Sequence, residues 1–117
     1  MDVKELRIGN SVLSPFKKIE YVTKIGYTKI WTNRGCYFIS EIEPIELTEE
    51  WLLKFGFLSN PYDDVYELGS FHVHCDKTTG VLRLWCEIND RIVDLKTVHR
   101  LQNLYFSIYE EELTIKN

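Results

Sequence analysis

The chain has 117 residues, within the roughly 100–200 expected of one domain. Its 44% hydrophobic and 27% charged residues exclude a disordered, collagen-like or coiled-coil chain. A formal net charge of −4 argues against a general nucleic-acid binder, and no apolar run approaches the ~18–20 residues of a membrane helix, so no membrane partner is expected.

Met1–Asn10 alternates charged with apolar residues and has no signal-peptide core. Cys36, Cys75 and Cys86 are too few for a disulfide framework and suit a reducing compartment, so the expected location is the cytoplasm. The charge is split along the chain. Residues 1–40 carry seven basic against three acidic residues, a net of +4, and residues 41–117 carry seven against fifteen, a net of −8. A basic first third can present an anion-attracting patch on one side of an acidic protein.

From Leu6 to Ile42 the apolar pattern has period two with turn residues at short intervals, which predicts an antiparallel β-meander. Ile8-Gly9-Asn10 is read as a turn or bulge after a first short strand. Residues 18–25 and 28–32 are read as strands joined by the two-residue loop Gly26-Tyr27. That register places Val22, Lys24, Lys29 and Trp31 on one face, and Tyr21, Thr23, Ile25 and Ile30 on the other. A three-residue loop, Asn33-Arg34-Gly35 with Gly35 left-handed, then adds Tyr37 and Ile39 to the Lys24 face, and Cys36 and Phe38 to the opposite one.

Pro44 ends the meander. Thr48 is a good N-cap, Glu49 and Glu50 suit a first helical turn, and Gly56 suits the residue after the helix, which predicts a short helix over 48–55. Trp51, Leu52 and Phe55 form its apolar stripe. Residues 60–64 read as a loop, followed by strands at 65–68 and 71–75, a turn at 76–80, the strand Val81–Ile88, a tight turn at Asn89-Asp90-Arg91 and a strand Ile92–Leu95. Val98, Leu101, Tyr105 and Ile108, with Leu104 beside them, mark an amphipathic helix from Lys96 or Thr97 to Tyr109. Leu113-Thr114-Ile115 resumes a two-residue period as an edge strand. The expected fold is α+β: one strand-rich domain over 1–117, with a meander part (1–43) and an α+β part (44–117).

Three candidate sites follow. Aromatic planes interleaved with ammonium groups are what a nucleobase and its phosphates require, so Lys24, Lys29, Trp31 and Tyr37, with Arg34 at the adjoining turn, are read as a ligand-binding face. The competing reading buries that face under the 48–55 helix. His72 and His74 share one face of a strand, and a pairing of 75 with 81 adds Cys86 as a third metal-type ligand; the ordinary reading makes all three structural. Trp85 is a reserve candidate for a contact with a second copy of the chain, in keeping with a homo-oligomer whose sites are completed between subunits. The sequence contains no Gly-x-Ser-x-Gly, Gly-rich phosphate loop or His-Glu-x-x-His motif, so it is read as non-enzymatic and without a cofactor.

Leu47-Thr48-Glu49-Glu50-Trp51-Leu52-Leu53-Lys54-Phe55-Gly56-Phe57 and Val98-His99-Arg100-Leu101-Gln102-Asn103-Leu104-Tyr105-Phe106 form two distinctive segments. With Glu5-Leu6-Arg7-Ile8-Gly9-Asn10 and the terminal Glu111–Ile115, they resemble a family of small proteins encoded by phages and mobile elements of gut Bacteroidales. That family carries Gly after its last helix, where this chain has Tyr109-Glu110. The resemblance carries over no catalytic or binding residue. It implies an accessory binding protein, by analogy one acting in counter-defence by sequestering a small anionic nucleotide-like signal. The alternative is an interaction module that grips a host protein or a nucleic acid.

Overall fold

The computed structural model describes residues 5–60, 62–78 and 80–116. It is an α+β protein with two antiparallel sheets, a short middle helix and a longer C-terminal helix. Its contacts gather into two units, one of residues 1–46 and 97–112, the other of 47–96 and 113–117. The C-terminal helix thus belongs with the meander that precedes it by fifty residues of chain, rather than with the strands next to it in sequence.

In the first unit β1 (Ser11–Leu13), β2 (Ile19–Ile25), β3 (Lys29–Thr32) and β4 (Cys36–Phe38) pair in chain order. One face of this sheet is apolar: Val22 and Ile30, with Leu6, Val12 and Ile42, form a buried core against which Ile25, Tyr37 and Ile39 pack. Helix α2 (Val98–Tyr109) buries Val98 and Leu101. Thr97 caps it by accepting from the Arg100 N–H, and it ends at Glu110, which adopts a left-handed φ of 56°. A glycine costs least at that position, so Glu110 carries the strain of a left-handed cap. Polar side chains of α2 tie it to the start of the first strand: Gln102 Oε1 accepts from the Ser11 backbone N–H at 2.8 Å, and Asn103 Oδ1 accepts from the Asn10 side-chain Nδ2 at 2.8 Å. The expected turn lies at residues 8–9, but no strand precedes it among the described residues.

Both hairpins of the meander differ in register from the expectation. Gly26 donates to the Lys29 carbonyl, so the loop is Tyr27-Thr28, Ile25 faces Ile30 and Lys24 faces Trp31; a bulge then restores Val22 to Thr32. At the next turn Thr32 N donates to the Gly35 carbonyl and the Thr32 hydroxyl accepts from the N–H of Arg34 and of Gly35. The loop is therefore the pair Asn33-Arg34, and Trp31 faces Cys36. Neither Gly26 nor Gly35 has a positive φ. Each is needed for close approach: a Cβ at Gly26 would lie 3.1 Å from the Trp31 ring, and one at Gly35 3.0 Å from the Tyr37 hydroxyl.

In the second unit α1 (Glu49–Lys54) has Thr48 as N-cap, accepting from Trp51 N at 3.3 Å, and buries Trp51 and Leu52. Gly56 follows with φ +94°, as its place after the helix predicts. Strands β5 (Leu58–Asn60), β6 (Val65–Leu68), β7 (Phe71–Asp76), β8 (Arg83–Ile88) and β9 (Arg91–Asp94) form the second sheet in chain order. β5 is unanticipated, and Val81 and Leu82 lie outside β8 and are exposed. Asn89 and Asp90, both at positive φ, make the two-residue turn between β8 and β9. Pro61 and Thr79, within the loop and turn read from the sequence, lie outside the described residues. Residues 113–115 form no strand; Leu113 is buried and Lys116 N bonds the Lys54 carbonyl instead.

Candidate functional site

The face of the first sheet opposite its core carries Lys24, Lys29 and Trp31 together, as the sequence suggests, but in different company. Residues directly opposite share a face, so Lys24 joins Trp31 and Cys36, and Lys29 joins Phe38. Tyr37, expected here, faces Ile30 on the core side, a correction that follows from the shorter Asn33-Arg34 loop. Its hydroxyl donates to Glu20 Oε2 at 3.3 Å, and its ring meets Phe16 edge-on. Burial, then the Glu20 bond, pushes the Tyr37 hydroxyl pKa up. Burial also pushes the Glu20 carboxyl up, but hydrogen bonds from Thr32 (2.5 Å), Ser14 and Tyr37, with the Arg34 charge, outweigh it and hold Glu20 low. Arg34 stays exposed at the turn.

Tyr21 and Phe38, both assigned to the opposite face by the sequence register, replace Tyr37. Tyr21 exchanges hydrogen bonds with Asn33, its N–H reaching Asn33 Oδ1 and its carbonyl accepting from Asn33 N. Trp31 lies two residues along β3 from Asn33; Phe38 lies two residues along β4 from Cys36, the partner of Trp31. Tyr21, Trp31 and Phe38 therefore descend diagonally across three strands, from backbone positions about 7–8 Å apart in regular sheet geometry. Phe38 is 53% exposed and Tyr21 51%, while Trp31 is half-buried beside Gly26.

The lysines run alongside this diagonal. Lys24 Nζ sits 4.6 Å from the Trp31 ring centre and Lys29 Nζ 5.3 Å from that of Phe38. Both lysines are exposed, and among the described residues neither is in an ion pair with a carboxylate. Exposed cation–π contacts are worth about 0.5–1 kcal/mol, so either ammonium can leave its ring for a stronger partner.

The His72, His74 and Cys86 set does not assemble. Cys75 pairs with Leu84 rather than with 81, so Cys86 lies opposite Val73, on the face away from both histidines. His74 stacks on Trp85 at 4.2 Å, His72 Nε2 lies 3.9 Å from Glu67, and burial pushes the Cys86 thiol pKa up. Among the described residues no group of three metal-type ligands converges. Trp85, the reserve interface residue, is half-buried on the His74 face with the Arg83 guanidinium 6.0 Å from its ring.

The second unit also holds a cleft of about 490 Å³, bordered by Glu49, Ser59, Asp64, Tyr66, Cys75 and Lys77. Glu49, in the first turn of α1, accepts from Lys77 Nζ at 2.6 Å and from the Tyr66 hydroxyl. These two bonds hold its carboxyl below the usual range, while burial and the same bond push Tyr66 up to about 12. Burial raises the Cys75 thiol. Sequence spacing offers no signal for this cluster, because its members come from α1, β6 and the turn after β7. Each oxygen of its carboxylate accepts one bond, from an ammonium and from a phenol, a clamp between helix and sheet.

No protein-family model, curated protein or solved structure matches the chain.

Proposed function

We propose that this chain is a non-catalytic binding protein that captures a nucleotide-like anionic ligand on the face of its first sheet. The diagonal of Tyr21, Trp31 and Phe38, with Lys24 and Lys29 beside it, carries this reading. Stacking contributes about 1–3 kcal/mol per base, and two ammonium groups without carboxylate partners among the described residues are available to phosphate. The bases take the rings and the lysines turn outward to the phosphates. In the phage or mobile-element setting that the sequence resemblance implies, capture by stoichiometric affinity would withdraw a nucleotide from a host pathway without any catalytic residue.

The test is a thermal-midpoint series against mono-, di- and cyclic nucleotides, ADP-ribose and a twelve-residue oligothymidylate, each at about 1 mM nucleotide. Ligand at 100 times its dissociation constant adds about 2.7 kcal/mol, several degrees in a chain of this size. At least one member of the series raises the midpoint, and Trp31→Ala with Lys29→Glu removes the shift while leaving the circular dichroism spectrum unchanged. A flat series, or a shift that survives both substitutions, overturns the reading.

A further inference from the structure

We infer that the occupant of this face is single-stranded nucleic acid, bound over three successive nucleotides, rather than a free mononucleotide. This rests on the proposed function and narrows it. A small ligand binds most tightly in a concave site that buries most of its surface. Here the rings lie along an open sheet face, with Phe38 and Tyr21 each about half exposed, so a lone base gains one stack from one side.

The arrangement repeats. Tyr21 sits on β2 level with Asn33, Trp31 on β3, and Phe38 on β4 level with Lys29, a straight diagonal with one ring per strand. Lys24 stands beside Trp31 and Lys29 beside Phe38, both on the same side of that diagonal, which gives a row of aromatic planes and a parallel row of positive charge. A strand has the same two rows, bases and phosphates. The residue positions that carry the rings are about 7–8 Å apart, more than the roughly 3.4 Å per nucleotide of a duplex strand, so the bases are unstacked from one another and splayed, each on its own ring. A duplex, with its base faces covered, cannot use such a row. No side chain that reads base edges is needed, so binding is tolerant of sequence.

The experiment follows tryptophan fluorescence of the full chain on titration with thymidine monophosphate and with oligothymidylates of two, three, six and twelve residues, and with dodecameric oligouridylate as the ribose counterpart. Affinity per molecule climbs steeply from one to three residues, roughly 5–150-fold for each added stack, and flattens beyond three apart from the statistical gain of longer strands. Two phosphate contacts give a slope near −1.4 in log affinity against log salt, roughly a 7-fold loss between 50 and 200 mM for the trimer. Tyr21→Ala, whose ring faces away from the core, weakens the trimer at least about 5-fold and leaves the monophosphate within 2-fold. Equal binding of the monophosphate and the dodecamer, with Tyr21→Ala silent, refutes the strand while leaving the nucleotide reading intact. Absence of binding by every probe overturns both.

Discussion

Tyr66→Phe isolates the contact that ties the middle helix to the second sheet. The substitution keeps the ring, which is buried, and removes only the hydroxyl, which donates to Glu49 and is also hydrogen-bonded by Ser59. A hydrogen bond to a charged group contributes about 1.5–3 kcal/mol, and the Glu49 side chain is still 29% exposed, so the lower end applies: about 1.5 kcal/mol at pH 7. Lys77, which remains on the carboxylate, is 61% exposed and adds well under 1 kcal/mol. The pH dependence follows from the direction of the Glu49 shift. Its folded pKa lies below its ordinary 4.5, set first by Lys77 and then by Tyr66. The stabilisation is therefore complete above about pH 4.5 and is lost as pH falls through the folded value. Urea unfolding of both proteins from pH 7 to pH 3 should show a constant gap of about 1.5 kcal/mol that narrows only below pH 4.5, with equal m-values. A gap under about 0.3 kcal/mol at pH 7, or one that does not narrow on acidification, refutes the clamp.

Other consequences are as concrete. Gly26→Ala puts a methyl 3.1 Å from the Trp31 ring and 3.3 Å from the Lys29 carbonyl oxygen, so it should displace the indole, cost about 1 kcal/mol and shift the tryptophan emission. His99, 3% exposed with Nδ1 unpartnered and Nε2 3.5 Å from Glu5, is held below its ordinary 6.5 by burial, which Glu5 opposes and Arg100 reinforces. Its folded pKa is lowered, so stability is full above pH 6.5 and falls below it; His99→Leu should flatten that decline in urea titrations. Thr97→Ala removes the N-cap of α2 and should cost about 1 kcal/mol, read as a lower urea midpoint.

The parts legible in the sequence are those fixed by neighbours in the chain. Thr48 and Thr97 announce their helices, Gly56 ends one, and the two-residue alternation finds most strands within a residue or two. Registers were not legible, because each depends on a partner farther along. Gly26 and Gly35 look like residues chosen for left-handed turns, whereas each makes room for a ring packed beside it. A one-residue error at the second hairpin exchanges Tyr37 for Phe38, and the unforeseen bulge between Val22 and Lys24 hides Tyr21, so the sequence locates the lysines and Trp31 but not the row of rings. The same sensitivity separates Cys86 from His72 and His74. The cleft around Glu49 was invisible for a different reason: its polar groups converge only when α1 docks on its sheet.

The three tryptophans provide the most direct test. Trp31 stands on the proposed face, Trp51 in the core beside Phe55, and Trp85 against His74 on the second sheet. In a proton–nitrogen correlation spectrum of labelled protein titrated with hexameric oligothymidylate, the Trp31 indole N–H should move progressively, with backbone amides of Tyr21, Lys24, Lys29 and Phe38, while the Trp51 and Trp85 indoles stay in place. A stationary Trp31 resonance, or movement centred on Trp51 or Trp85, contradicts the assignment of the site.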